Sequence, residues 1–256
     1  MKDLRARLRN RETVLGCFLN LGSPLTAEMV GLAGFDWVLI DLEHGAGREG
    51  DLLGQLQALE HTPAAPVVRV ESHERQRAHR VLDLGACGVM FPRVNTAAEA
   101  AAVVAAMRYP LGGVRGVAQM IRAAQFGADF GAYQRQAAER LVCVAQIETP
   151  EAVVNVEQIA AVDGVDVLFI GPSDLSMSMG IFGQLDHPDF VAALRRTAEA
   201  AARHERAAGV LLREPGEMAK YRELGYRFLA CGSDGGLLAG AARTLARTLR
   251  NQAAQA

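Results

Sequence analysis

The sequence predicts a single (β/α)8 barrel of the TIM type. Three observations carry that expectation: β-branched or apolar runs alternate with alanine-rich amphipathic stretches eight times, most links between them are short, and 256 residues is a usual length for one such domain. Length by itself would also allow two smaller domains. No composition break, low-complexity linker or strict internal repeat marks a boundary, so residues 1–256 are read as one domain.

Taken in order, Val14 to Leu21 reads as the first strand and Pro24 to Ala33 as the first helix. Trp37 to Leu42 and Val67 to Val70 are the next strands, followed by helices over Asp51 to Glu60 and Glu74 to Leu84. Gly88 to Val94 is the fourth strand, with a helix over Ala97 to Arg108. Leu141 to Ile147 is the fifth, with a helix over Glu151 to Val162. Val165 to Ile170 has the pattern of a strand buried on both faces, ended abruptly by Gly171-Pro172, and Pro188 to Arg206 is its helix. Ala208 to Leu212 and Arg227 to Cys231 complete the strands, with helices over Glu217 to Leu224 and Leu237 to Arg250. The interval 109–140 is too long for a plain connection and is expected to be a loop insertion after strand four, a lid or a subunit contact; it carries Gly112, Gly113 and Gly116 around Arg115, then Arg122 and Phe126. Residues 251–256 are expected to form a disordered tail.

Composition removes several classes of function. A net charge of -2 and a pI near 6.3 give no electrostatic reason to expect nucleic acid or an anionic membrane. The basic start MKDLRARLRNRE has no apolar stretch behind it long enough for a signal peptide, and no segment approaches the roughly 20 apolar residues of a membrane span. A soluble cytoplasmic protein is expected. Cys17, Cys87, Cys143 and Cys231 are scattered and form no C-x-x-C pair, as buried thiols would be. The only lysines are Lys2, in a terminus expected to fray, and Lys220, inside a helical pattern. Neither is placed to be the desolvated amine that Schiff-base chemistry needs.

In a barrel, residues at the carboxyl ends of the strands share one mouth whatever their separation in sequence. Asp41, Glu43 and His44 follow strand two, Arg69 lies on strand three, Gln146 and Glu148 end strand five, and Asp174 follows strand six. Charge is costly to desolvate without partners, so such a ring points to a bound metal or ionic ligand; a structural salt-bridge cluster, or Asp174 as the cap of a short helix, is the plain alternative. Glu148 and Asp174 are hard oxygen donors with no cysteine or second histidine nearby, which suits a Mg or Mn ion better than a closed zinc site. A 2-oxo acid could share that ion, with Arg69 facing its keto oxygen and His44 as acid/base, oriented by Asp41 or Glu43.

Ile-Asp-Leu-Glu-His-Gly at 40–45, Val-Val-Arg-Val at 67–70, Gln-Ile-Glu-Thr-Pro at 146–150 and Phe-Ile-Gly-Pro-Ser-Asp-Leu-Ser at 169–176 resemble the signature segments of the HpcH/HpaI aldolases, the metal-dependent class II pyruvate aldolases. The likeness extends to Leu-Asp-Leu-Gly-Ala at 82–86 and Gly-Val-Arg-Gly at 113–116. It implies a TIM barrel of the phosphoenolpyruvate/pyruvate type whose last helix is swapped between subunits of a homo-oligomer, a hexamer or trimer. It implies that Glu148 and Asp174 hold a divalent metal (Mg, Mn or Co), that Arg69 stabilises the pyruvate enolate, and that His44 with Asp41 is the base. Gln146, Gly171, Ser173 and Leu211 would line the substrate site, and Asp83 would reach a neighbouring subunit's site; the plain reading of Asp83 is a solvated helix residue. Gly45 to Glu49 and Tyr-Pro-Leu-Gly at 109–112 depart from the commoner pattern, in loops that could contact the aldehyde.

The activity so implied is reversible retro-aldol cleavage of a 4-hydroxy-2-oxo acid, 4-hydroxy-2-oxoheptanedioate or a 2-dehydro-3-deoxy sugar acid, to pyruvate and an aldehyde. Two other readings stand beside it: an acyl-CoA thioester lyase of the same superfamily, which would want a basic groove for the nucleotide, and a barrel that binds oxo acids without turning them over.

Overall fold

Each apolar run is too short to bury its own faces, and the runs solve this by pairing in parallel with their sequence neighbours until the sheet closes. The computed structural model describes residues 3–255; Met1, Lys2 and Ala256 lie outside the described residues. Its strands are β1 (Val14–Leu19), β2 (Trp37–Asp41), β3 (Ala65–Arg69), β4 (Gly88–Phe91), β5 (Val142–Ile147), β6 (Val167–Ile170), β7 (Ala207–Leu212) and β8 (Tyr226–Ser233). They form one closed barrel in chain order, β8 returning to β1. The predicted (β/α)8 fold is the fold observed.

The helices are α1 (Leu4–Arg9), α2 (Pro24–Leu32), α3 (Glu49–Leu59), α4 (Arg75–Leu84), α5 (Ala97–Met107), α6 (Phe130–Arg140), α7 (Pro150–Val154), α8 (Val156–Ala161), α9 (Pro172–Ser178), α10 (Pro188–Arg203), α11 (Met218–Glu223) and α12 (Asp234–Ala253). Where the sequence is explicit about a helix start, the structure uses it. Ser23, Thr96, Thr149 and Ser233 each accept a first-turn amide with their side-chain oxygen, and Pro24 and Pro150 occupy first-turn positions that need no amide hydrogen.

Four elements differ from the sequence reading. First, α1 closes the amino-terminal end of the barrel: Leu4 and Leu8 are buried among the interior side chains. Arg5 Nε donates to Asp166 at 2.6 Å and its Nη1 to the Ala138 carbonyl. A six-residue helix rich in arginine has too little apolar periodicity to stand out. Second, the 109–140 interval is not a plain loop, because it holds a 3-10 turn at Arg122–Gly127 and all of α6. Only Tyr133 and Ala137 of α6 are buried, so its pattern is faint in sequence. Third, α9 sits between β6 and α10. Fourth, α12 continues to Ala253, into the stretch 251–256 expected to be a tail; after Gly240 no glycine or proline interrupts it, so nothing in the backbone stops the helix earlier. Among the cysteines, Cys231 is only partly buried, while the other three are in the core. Lys220 is on α11, exposed, with its Nζ 2.6 Å from Asp186. No helix among the described residues is long and apolar enough to cross a membrane.

Strand alternation fixes which residues face inward. Trp37, Leu39 and Asp41 follow one another up the inside of β2; Ala65, Val67 and Arg69 do so on β3. The lower interior is aromatic and apolar. Trp37 stacks on Phe228 with ring centroids 3.9 Å apart, and Phe169 meets Phe228 edge-on at 6.1 Å. The indole fits because β1 carries Gly16 beside it: a Cβ there would overlap the Trp37 ring. The indole is pinned by Phe228 and cannot step aside.

Gly16→Ala is therefore expected to destabilise the fold by ~1–3 kcal/mol through overpacking, read as a lower midpoint in chemical denaturation with the slope unchanged. An unaltered midpoint would mean that the barrel interior is looser than this packing implies.

Candidate active site

At the carboxyl ends of the strands the inward-facing residues change from apolar to charged. The β2–β3 register pairs Asp41 with Arg69, which brings their side chains together at the top of the interior. Arg69 Nε donates to Asp41 Oδ1 at 2.9 Å and Nη2 to Oδ2 at 2.7 Å, a two-point pairing of planar groups. Arg69 Nη1 reaches Glu43 Oε2 at 3.1 Å, and the guanidinium lies over Phe18, 5.6 Å from the ring centre. Both members of the pair are buried, Arg69 at 7% and Asp41 at 4% exposure.

Burial by itself would raise the Asp41 carboxyl. Arg69's hydrogen bonds and charge, with the backbone amides of His44 and Glu43, more than offset it and hold Asp41 below its ordinary 3.8. Burial likewise opposes the Arg69 charge, and Asp41, Glu43 and Glu148 together more than offset it and leave the guanidinium raised above its ordinary value. Glu43 behaves differently. Despite its contact with Arg69, its carboxyl is raised, by burial first and then by Asp41 and Asp174.

Across the mouth, Glu148 is 3% exposed and pushed up to about 7. Burial is the largest cause, the amide of Arg93 works against it, and the charges of Asp174 and Glu43 add to the rise. Its Oε1 accepts from the Arg93 amide at 2.7 Å and its Oε2 from Gln146 Nε2 at 3.2 Å. The last residue of β6's approach, Gly171, is glycine for a visible reason: a Cβ would stand 2.6 Å from Glu148 Oε2. Asp174 is exposed in the first turn of α9 and does not cap that helix; the cap position is Gly171.

These groups fit a divalent cation. The charges of Asp174 and Glu43 raise the cost of ionising Glu148, and that of Asp174 raises the cost for Glu43, with one arginine among them; among the described residues the buried Gln146 Oε1 beside Glu148 has no hydrogen-bond partner. A cation would relieve both. Among the described residues no group of three His, Cys, Asp or Glu side chains is placed to hold a metal ion; Glu148 and Asp174 would supply two oxygen ligands to a cation.

His44 lies on the loop after β2, with its side chain largely exposed and Nε2 3.8 Å from Glu43 Oε2. The partner facing its ring is thus Glu43; Asp41 accepts from the His44 backbone amide at 3.3 Å instead. Leu211 faces the interior at the end of β7, and Ser173 opens α9 beside Gly171. Asp83 does not join this group. It is near the carboxyl end of α4, toward the opposite end of the barrel, where it accepts from Arg115 Nη2 at 2.6 Å. Arg115 is buried, also donates to Tyr133 Oη at 3.0 Å and stacks over Tyr109, tying the 109–140 segment to α4. Sequence reasoning missed the Arg93 amide altogether. A backbone donor leaves no mark in side-chain chemistry, and only Pro92 after an apolar run hinted at an irregular strand end.

A sequence model of the family described as HpcH/HpaI aldolase/citrate lyase matches residues 14–241. A hydroxypyruvate/pyruvate aldolase of Paraburkholderia phytofirmans is 41% identical over 237 residues, covering 90% of this chain and 91% of that one. A 5-keto-4-deoxy-D-glucarate aldolase of Shigella boydii is 38% identical over 246 residues, 96% of this chain and 95% of the other. The crystal structure of an HpcH/HpaI aldolase/citrate lyase family protein from Burkholderia cenocepacia superposes with a TM-score of 0.92 at 38% identity, covering 98% of this chain and 100% of that one.

The raised Glu148 carboxyl has a thermodynamic consequence. The native chain keeps this proton up to about pH 7, whereas an ordinary glutamate releases it near 4.5, so across that window the native state binds more protons and stability falls as pH rises. In metal-free protein at pH 8, Glu148→Gln is expected to be more stable than the wild type by on the order of 3 kcal/mol, with the two converging near pH 4. Denaturation curves in chelator at the two pH values check this; a variant no more stable at pH 8 would refute the strain assigned to Glu148.

Proposed function

The chain belongs to the HpcH/HpaI aldolase/citrate lyase family, and from that membership we propose that it cleaves a 4-hydroxy-2-oxo acid of the 2-dehydro-3-deoxy sugar-acid type to pyruvate and an aldehyde, reversibly and with a divalent metal. It is a carbon–carbon lyase of the aldolase type. The observation that carries the finer reading is the convergence, at one barrel mouth, of a buried, pre-oriented arginine with a carboxylate set in need of a cation.

Glu148 and Asp174 would hold the metal, of the Mg, Mn or Co kind, which when bound supplies positive charge to the carboxylate and keto oxygens of the 2-oxo acid. The backbone at Gly171 and Ser173, with Gln146, receives the carboxylate end, and Leu211 provides apolar contact. Arg69 is held by two hydrogen bonds to Asp41, so it cannot swing away as charge develops on the keto oxygen. His44, on the exposed side of the mouth with Glu43 facing its ring, takes the proton of the C4 hydroxyl, directly or through water. The C3–C4 bond then breaks with its electron pair moving to C3, releasing the aldehyde. Protonation of the resulting enolate at C3 gives pyruvate.

The assembly expected from the family also has support in this chain. Beyond its amino-terminal anchor, where Asp234 accepts from the Asn20 amide at 2.8 Å and Thr26 Oγ1 at 2.7 Å, α12 exposes Leu237, Leu238, Leu245 and Leu249. An apolar groove lined by Leu15, Phe35, Pro215, Met218 and Leu229 lies at its root. Exchange of α12 between subunits of a homo-oligomer would cover these surfaces. Asp83, remote from its own chain's mouth, would serve a neighbour's site in such an assembly.

Pyruvate release from a 2-dehydro-3-deoxy sugar acid should vanish on chelation, return with Mg, Mn or Co, and be absent in Glu148→Gln; Arg69→Ala should raise the barrier by about 3 kcal/mol, seen in kcat. Release that is indifferent to chelation, or an Arg69→Ala enzyme with unchanged kcat, would overturn the roles given to these residues. For the assembly, Leu245→Glu with Leu249→Glu should lower the molar mass found by light scattering. A wild-type monomer at every concentration would remove helix exchange.

A further inference from the structure

Arg93 follows β4, and its backbone is fixed on every side. His73 Nε2 is 2.6 Å from the Pro92 carbonyl, the Arg93 amide donates to Glu148 Oε1 at 2.7 Å, and the Val94 amide donates to the Gln146 carbonyl at 3.1 Å. The residue is held in the left-handed region, φ 50°, which costs a non-glycine residue conformational energy. Its side chain is exposed, and among the described residues its guanidinium has no hydrogen bond or ion pair.

That freedom is unusual among the cations around this mouth. Arg69 is committed to Asp41 and Glu43, while Arg77 and Arg80 are committed to Glu49 and Glu71. Arg48 is also exposed and without an ion pair, but it begins α3 on the far side of the Gly45–Gly47 turn, whereas Arg93 touches Glu148 through its own backbone. A backbone anchored on Glu148, carrying a guanidinium that is exposed and free to pair, suits a planar anion on the end of the substrate away from Glu148.

We propose that Arg93 determines acceptor specificity by binding a carboxylate at the distal end of the substrate, so that the preferred substrates are dicarboxylic 2-oxo acids that release an aldehyde bearing an acid group. This rests on the aldolase reading above and names its substrate class.

The test is a matched pair: a 2-dehydro-3-deoxy aldarate, ending in a carboxylate, against the 2-dehydro-3-deoxy aldonate of the same length, ending in a hydroxymethyl group, both assayed with the Mn-loaded enzyme. Arg93→Ala should lower the ratio of kcat/KM for diacid over monoacid by roughly tenfold or more, the value of a hydrogen-bonded ion pair. The loss should fall mainly in KM, and Arg93→Lys should recover part of it. An unchanged ratio, or a ratio that moves in Arg48→Ala and not in Arg93→Ala, overturns the assignment. Exchange of the pyruvate methyl protons with deuterated solvent separates the two levels: if the wild type fails to exchange them with any divalent metal, the aldolase reading falls and this inference with it, whereas exchange together with an unmoved ratio overturns the inference alone.

Discussion

The buried pair between Asp41 and Arg69 is the constraint on which the mouth of this barrel depends. Each charge is expensive to place where it is, and each makes the other tolerable. Removing one partner of such a pair leaves an uncompensated charge and typically costs about 3–5 kcal/mol, a large part of a domain's net stability. The pair exists because of strand register: β2 and β3 align Asp41 with Arg69, and alternation along both strands turns those two positions inward. A one-residue slip would turn both side chains to the helix layer. The geometry that gives Arg69 its fixed direction is therefore set by the same ladder that closes the barrel.

The opposite wall of the mouth is built on a different balance. Glu148 is ringed by burial and by two other carboxylates, and the Arg93 amide and Gln146 only partly answer its charge. One side of the site thus presents a satisfied cation and the other an unsatisfied anionic cluster. A ligand with adjacent carboxylate and keto oxygens would suit such a division if a cation were held on the anionic side. The aromatic layer beneath, Phe18, Phe169, Phe228 and Trp37, keeps water from the interior and gives Arg69 a surface to rest on. Glycine has a matching role above and below: Gly16 makes room for the indole, and Gly171 lets β6 end against Glu148.

Away from the mouth, α1 seals the other end through Leu4, Leu8 and the Arg5–Asp166 pair, and the 109–140 segment is bound to α4 through Arg115, Asp83 and Tyr133. Asp83 is thereby committed within its own subunit to holding that segment. Any reach toward a neighbouring site would have to share the carboxylate with Arg115.

Periodicity determined the fold in advance, because eight apolar runs separated by amphipathic stretches leave few alternatives to a closed parallel sheet. Chemistry at the strand ends also pointed to the residues that the closed barrel gathers at its mouth: Asp41, Arg69, Gln146, Glu148 and Asp174 are visible as charge or amide where apolar strands finish. Elements with little buried surface, α1 and α6, were not legible, since a helix that buries two or three side chains leaves almost no pattern. Nor was the partner of His44, because Glu43 and Asp41 both lie within three residues of it, and only the register gives Asp41 to Arg69 while Glu43 faces the imidazole. The Arg93 amide on Glu148, the rise of that carboxyl to about 7 and the remoteness of Asp83 come from burial and from contacts between residues far apart in the chain. Those quantities exist only once the chain has closed on itself, which is why tertiary structure alone decided them.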